Sequence, residues 1–322
     1  MKKIIFFFDA SNKIGRGHLI RCCVIAKNLI KKKYQNILIG NIDRKILGTK
    51  KNLFKKIIFH KSNDLKKKIN KLIEIYKKYG CDYAVIDNQY LPDEIKKKII
   101  LNKIKWLEFL PNIKKKTFAN ISVCTIPYFK KQKNAEDTRT YFGKEYAFLR
   151  DQFFKKKNKK THHKIFVNTG GGEDKGCNLK ILKKIYPILN NFKVILLLSK
   201  NQQNYKIFNW IKKNDTLKKI QVILNKENIV DLIDQSKFAI CTGGTISHEI
   251  DARCKKMIIV SIVKNQVLQS KKWENFGHTY VGPVDKINNK KFFLAFRNLQ
   301  EIKNEKFMKR KKKFKEIIDE IL

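Results

Sequence analysis

Apolar residues occur along this chain in short continuous runs, alternating with stretches in which they recur every third or fourth position. Ile4 to Phe8 is one such run, closed by Asp9, and it predicts a strand buried on both faces over 3–9. Leu19, Cys23, Ala26 and Ile30 then fall at helical spacing within 18–33. The same alternation predicts strands near 36–40 and 56–59, a Lys-rich amphipathic helix at 63–79 and a strand at 83–87. A helix at 92–101 and short strands near 105–109 and 121–124 complete this series. Residues 151–164 interrupt the pattern and read as a linker. A second series runs through strand 164–168, helix 177–189, strand 193–199, helix 202–212, strand 220–224, helix 228–235 and strand 238–241. Helix 245–254, strand 257–261 and helices near 266–276 and 303–321 close it.

Strand–helix alternation at this spacing implies an α/β fold with parallel sheets. Two series imply two Rossmann-like domains facing across a cleft, divided as 1–155 and 156–322. Ligands are then expected at the carboxyl ends of the strands. The 322 residues, 43% hydrophobic, suffice for real cores and exclude disorder as the main state. No apolar stretch reaches the ~20 residues that span a bilayer, and Asp9 ends the first apolar run too early for a signal peptide. A cytoplasmic monomer without a transmembrane segment is expected.

Charge changes the picture less than its size suggests. The 73 Lys+Arg against 28 Asp+Glu give +45, but only 8 of the basic residues are Arg and 65 are Lys. Surfaces that read phosphate or guanine favour the Arg fork. Lys spread in short runs, beside abundant Ile and Asn, reads as the surface of a protein from an A/T-biased coding sequence. No specific nucleic acid is expected, only nonspecific adherence to polyanions at low salt. The 7 Cys form no C-x-x-C pair, and the 6 His show no H-E-x-x-H or H-x-H spacing. They read as reduced core thiols, with no structural metal and no cofactor.

Three constellations carry candidate chemistry. The first, Asp9 to His18, puts Gly15 and Gly17 after the first strand and His18 at the start of the next helix. A helix N-terminus disfavours imidazolium, which suits a neutral His18 acting as general base. Asp9 is a candidate to orient His18 or a substrate hydroxyl, or simply to form the turn. The second is Thr169-Gly170-Gly171-Gly172-Glu173-Asp174, whose glycines free backbone N–H groups for a phosphate. It is neither a Walker A loop nor a full G-x-G-x-x-G fingerprint. The third is Gly243-Gly244-Thr245-Ile246-Ser247-His248-Glu249. Its helix N-terminus and hydroxyls suit an anion, and Glu249 suits a ribose diol, with His248 left to packing or surface. Asn265 and Gln266 follow the next strand with amide groups for a sugar or nucleotide.

In order along the chain, Ile14-Gly-Arg-Gly-His-Leu-Ile-Arg21, Gly143-Lys-Glu-Tyr-Ala-Phe-Leu-Arg150, Gly170-Gly-Gly-Glu-Asp174, Gly243-Gly-Thr-Ile-Ser-His-Glu249 and Asn265-Gln266 carry a family resemblance. Over roughly residues 3–285 the chain resembles the nucleotide-sugar hydrolases of pseudaminic acid biosynthesis, which act on UDP-2,4-diacetamido-2,4,6-trideoxy-β-L-altropyranose. More broadly it is similar to spore-coat polysaccharide proteins and the glycosyltransferase-B superfamily. It departs from the family at Phe7, where Arg is usual, and at Asp87-Asn88-Gln89-Tyr90, where Asp-His-Tyr is usual. The resemblance implies metal-independent hydrolysis at the anomeric carbon, releasing UDP. It makes His18 the catalytic base, Glu249 the uridine-ribose ligand and Asn265 an active-site amide. Asp9, Gly15, Gly17, Arg21, Gly171, Gly172, Gly243, Gly244, Thr245, Ser247 and Gln266 complete the expected substrate site. A glycosyltransferase of the same fold and a non-enzymatic polyanion binder stand as alternatives.

Overall fold

The computed structural model describes residues 1–11, 16–88, 91–111, 117–128, 139–155, 163–199, 204–301 and 312–321. The chain forms two compact units, one of Met1–Leu149 with Lys311–Leu322 and one of Arg150–Arg310. The sequence pattern alone places this boundary at 155/156 and the C-terminal residues in the second domain.

The first unit holds β1 (Lys3–Phe8), β2 (Gln35–Gly40), β3 (Lys56–Phe59), β4 (Tyr83–Asp87), β5 (Trp106–Phe109), β6 (Ile121–Cys124) and β7 (Arg139–Phe142). Their order is β3-β2-β1-β4-β5-β6-β7, and each neighbouring pair is parallel. The continuous apolar runs are explained by burial on both sides: β4 is buried throughout, and Ile4 to Phe8 are at most 1% exposed. Ile69, Leu72 and Ile75 of helix Leu65–Lys78 and Ile95 and Ile99 of helix Asp93–Leu101 pack with Ile5, Phe7, Ala84 and Ile86 in one core. The strand order reverses between β1 and β4, which makes their carboxyl ends a switch point, the usual ligand position in an open parallel sheet.

Of the expected helix 303–321, the described portion is Phe314–Glu320, and 302–311 lie outside the described residues. This short helix belongs to the first unit. Phe314 is 1% exposed with its ring 5.5 Å from that of Phe148, and Glu320 accepts from the hydroxyl of Tyr141 on β7.

The second unit holds β8 (Lys164–Asn168), β9 (Lys193–Leu198), β10 (Ile220–Leu224), β11 (Phe238–Thr242), β12 (Met257–Ser261) and β13 (Thr279–Pro283). Their order, β10-β9-β8-β11-β12-β13, is again parallel throughout and reverses between β8 and β11. Helix Asn289–Glu301 buries Phe292, Ala295, Phe296 and Leu299 against this sheet's core. The start of the expected linker is built into this unit. Asp151–Phe154 makes a 3-10 turn with Phe153 1% exposed, and Arg253 donates to the carbonyls of Phe153 and Lys155. Among the described residues no helix is long and apolar enough to cross a membrane.

Candidate functional site

In the first unit the candidate chemistry gathers where β1 and β4 end side by side, with Phe8 in register with Asp87. Helix Gly17–Lys31 begins there without a side-chain cap and carries His18 in its first turn. His18 Nδ1 lies 2.7 Å from Asp87 Oδ1, and both residues are buried. An ionised carboxylate only accepts, so the ring hydrogen sits on Nδ1 and the lone pair falls on Nε2. No described residue bonds Nε2. Arg21, one turn further along, reaches both Asp87 oxygens, with Nη2 2.5 Å from Oδ1 and Nε on Oδ2. Burial opposes a charge on Asp87, but Arg21 and then His18 outweigh it and hold the carboxyl well below the usual range. Burial instead pushes the neighbouring Cys22 thiol up, so it stays protonated.

Asp9 does not reach His18. Its Oδ1 accepts from the Asn41 amide at 2.7 Å and its Oδ2 pairs with Lys68 at 2.5 Å, so it ties β1 to the loop after β2 and to helix Leu65–Lys78. Of its expected roles, turn formation is the one its bonds express. Gly17 opens the helix, while Gly15 lies outside the described residues, as do Gln89 and Tyr90. Arg21 was expected at the substrate, but its guanidinium is engaged by Asp87. Asp87 itself was missed as a site residue, since the sequence shows only an Asp ending a strand.

In the second unit both glycine turns lie at the switch point, after β8 and β11, and Thr242 Oγ1 joins them by donating to the Thr169 carbonyl at 3.0 Å. Gly170 adopts φ +94, a conformation open to glycine, and its amide donates to Asn168 Oδ1 at 3.0 Å. The helix that follows starts only at Cys177, and its first amides are taken. Asp174 Oδ1 accepts from Gly176 N and Oδ2 from Asn178 N, at 3.0 and 3.1 Å. This helix N-terminus therefore holds its own carboxylate instead of a phosphate. What the first turn still offers is the amides of Gly171 and Gly172, half-buried and bonded to no described residue.

The second turn opens directly onto helix Thr245–Ala252, with Gly244 as an uncapped N-cap. The Gly244 amide and the half-buried Thr245 bond to no described residue outside the helix itself, which leaves this N-terminus open to an anion. Gly243 is needed for packing: a Cβ there would lie 2.0 Å from Ser270 Oγ. Ser247 is corrected from ligand to structural residue. It is 0% exposed, donates to the Gly244 carbonyl at 2.7 Å and accepts from Trp273 Nε1 at 2.9 Å. His248 packs on the Trp273 ring with Nε2 beside Gln269. Gln266 Oε1 accepts from the Ile262 amide at 2.9 Å, while a Cβ on Gly244 would lie 3.7 Å from its Nε2. Asn265 is exposed at the start of helix Lys264–Lys272.

Glu249 is 4% exposed, and its Oε1 accepts from Arg150 Nη2 at 2.9 Å. Burial raises its pKa and Arg150 opposes the rise, leaving it above the ordinary carboxylate value. Its Oε2 has no described partner, so one acceptor oxygen is unused. Arg150 is anchored in turn by the Glu227 carbonyl at 2.6 Å and by the Phe153 ring 5.0 Å away. Arg150 closes the Gly143–Arg150 motif, which by itself gives it no task.

No family model matches the chain. It is 24% identical over 274 residues to the UDP-2,4-diacetamido-2,4,6-trideoxy-β-L-altropyranose hydrolase of Campylobacter jejuni, covering 82% of this chain and 93% of that protein. Among solved structures it resembles MurG of Acinetobacter baumannii, with a TM-score of 0.62 at 15% identity, covering 93% of this chain and 92% of that one. MnaA of S. aureus, in a co-structure with UDP, gives a TM-score of 0.62 at 14% identity over 94% of this chain and 88% of that one. The UDP-GlcNAc 2-epimerase of Methanocaldococcus jannaschii gives 0.61 at 12% identity, covering 100% and 99%. These likenesses are ones of fold, and the chain has the two Rossmann-like domains of the glycosyltransferase-B-like class.

Proposed function

We propose that this chain hydrolyses a UDP-sugar, with UDP-2,4-diacetamido-2,4,6-trideoxy-β-L-altropyranose as the substrate class favoured by the Campylobacter jejuni relative. The observation that carries the reading is the His18–Asp87 pair, a 2.7 Å contact at a strand switch point that leaves Nε2 as the basic atom. In the second unit the open N-terminus at Gly244 and Thr245, with the amides of Gly171 and Gly172, takes the diphosphate. The unused oxygen of Glu249 accepts from the ribose, and Asn265 and Gln266 supply amides to the substrate.

The step balances without further reactants. A water oxygen attacks the anomeric carbon, its proton passes to His18 Nε2, and the bond to the diphosphate oxygen breaks with its electron pair leaving on UDP. Asp87 keeps the imidazole in the tautomer that can accept and stabilises the imidazolium that forms. The role proposed for the backbone N–H groups of the second unit is to stabilise charge developing on the diphosphate. UDP release from the purified UDP-sugar tests this. His18→Ala is expected to lower kcat by about 10²–10⁴-fold with little change in UDP affinity, and turnover retained in that variant would sink the mechanism. Transfer of the sugar to an added acceptor in preference to water would favour the glycosyltransferase alternative.

A further inference from the structure

Arg21 is expected from the sequence among the substrate-site residues, and its geometry suits another task. The guanidinium lies in the plane of a fork: Nε on Asp87 Oδ2, Nη2 on Asp87 Oδ1 at 2.5 Å, and the same Nη2 3.1 Å from His18 Nδ1. Its carbon stands 4.5 Å over the Phe109 ring on β5. Two donors, a flat ring beneath and a carboxylate in front fix the group in one orientation. An arginine held that way has little left for a mobile diphosphate.

We propose that Arg21 is a positioning residue of the base, which locks the Asp87 carboxylate so that it holds the His18 ring with hydrogen on Nδ1 and the lone pair on Nε2. The inference rests on the hydrolase reading above for its kinetic consequences, though not for its structural ones. Asp87 has no exposed side-chain surface, whereas Arg21 is 26% exposed, so the carboxylate needs a cation within the protein and Arg21 can still be approached by solvent. Among the described residues the charged and titratable neighbours are few. Helix Gly17–Lys31 brings His18, Arg21 and Cys22, whose thiol donates to Asp87 Oδ2 at 3.6 Å. At the end of β1, Asp9 is held by Lys68 from helix Leu65–Lys78. On β5, Glu108 is paired with Lys96 from helix Asp93–Leu101. Arg21 and then His18 are the chief partners that favour the Asp87 charge.

The sign of the pH effect follows. Asp87 in the native protein is held below the usual carboxylate range, so its charge is present at working pH and is lost only in strong acid. With the guanidinium removed, burial dominates and the proton returns at higher pH. Arg21→Met keeps an apolar stem over Phe109 and tests the charge; Arg21→Lys keeps charge without the fork.

Two readouts separate this inference from the hydrolase reading. In the free protein, ¹⁵N NMR of the His18 imidazole needs no substrate. The native chain is expected to show the Nδ1–H form, Arg21→Met a mixed or Nε2–H form, and Arg21→Lys a return towards the native pattern. In UDP-sugar turnover, Arg21→Met is expected to move the acid limb of kcat to higher pH by a unit or more, with KM changed less than about threefold. An unchanged His18 tautomer in Arg21→Met would overturn the inference even if the native enzyme hydrolyses the sugar. So would a KM raised at all pH values with an unmoved acid limb, since that is the mark of a diphosphate ligand. Failure of the native protein to release UDP removes the hydrolase reading and leaves the NMR result to decide the role of Arg21.

Discussion

His18 and Glu249 are each held by a charged neighbour remote in sequence, buried Asp87 in one case and half-buried Arg150 in the other. His18 relies on Asp87, 69 residues away, and Glu249 on Arg150, 99 residues away. Burial lifts the Glu249 carboxyl above its ordinary value, so it ionises late, and under the proposed ribose contact the ionised form is the stronger acceptor. On that proposal UDP affinity is expected to fall as pH drops, the loss setting in above the ordinary carboxylate range. Isothermal titration against Glu249→Gln removes the contribution of the ligand's own titration: the variant is expected to bind more weakly and to lack this pH step. A step of equal size in the variant would assign it elsewhere. His18 was legible because a His after Gly-x-Gly at a strand end is a local signal. Asp87 was not, because nothing local says that β4 lies beside β1. Ser247 was misread for the same reason: its indole partner, Trp273, comes from another helix.

At the scale of elements, the strongly apolar runs identified their own strands, since a strand buried on both faces has no room for polar residues. The misses have physical causes. Edge strand β7 is short and lacks a fully buried position, and β13 carries Gly282 and Pro283. Helix Asn289–Glu301 did carry a signal, with Phe292, Ala295, Phe296 and Leu299 at helical spacing. The described turns also explain which glycines are replaceable. Gly243→Ala brings a methyl group 2.0 Å from Ser270 Oγ and 3.1 Å from the Gln266 carbonyl, so helix Lys264–Lys272 must shift away from the turn. A loss of about 1–3 kcal/mol is expected, with weakened UDP binding, and Gly243→Ala/Ser270→Gly is expected to recover most of it in thermal melts. Equal melting of the single and double variants would contradict this packing. The ion pair Arg253–Asp234, 1% and 3% exposed at its side chains, fastens the 151–155 segment to the second unit. Arg253→Met takes the guanidinium from the buried Asp234 carboxylate and the donor from the Phe153 and Lys155 carbonyls, for an expected loss of about 1–3 kcal/mol in urea unfolding.

At the scale of the whole molecule, the +45 charge first invites a nucleic-acid reading. Five of the 8 Arg, namely Arg21, Arg139, Arg150, Arg253 and Arg297, are each paired with a carboxylate, and Arg44 lies over the Phe59 ring. The surface field is then carried by Lys, which attracts anions without selecting among them. Under the proposed function such a field would help draw in a nucleotide sugar, with selectivity left to the residues proposed at the two switch points, β1/β4 and β8/β11. The central proposal is that water activated by His18 attacks carbon instead of phosphorus. Turnover of the UDP-sugar in H₂¹⁸O, followed by mass spectrometry of both products, tests it most directly. The label is expected in the released sugar with none in UDP; label in the nucleotide, or no release of UDP at all, would contradict it.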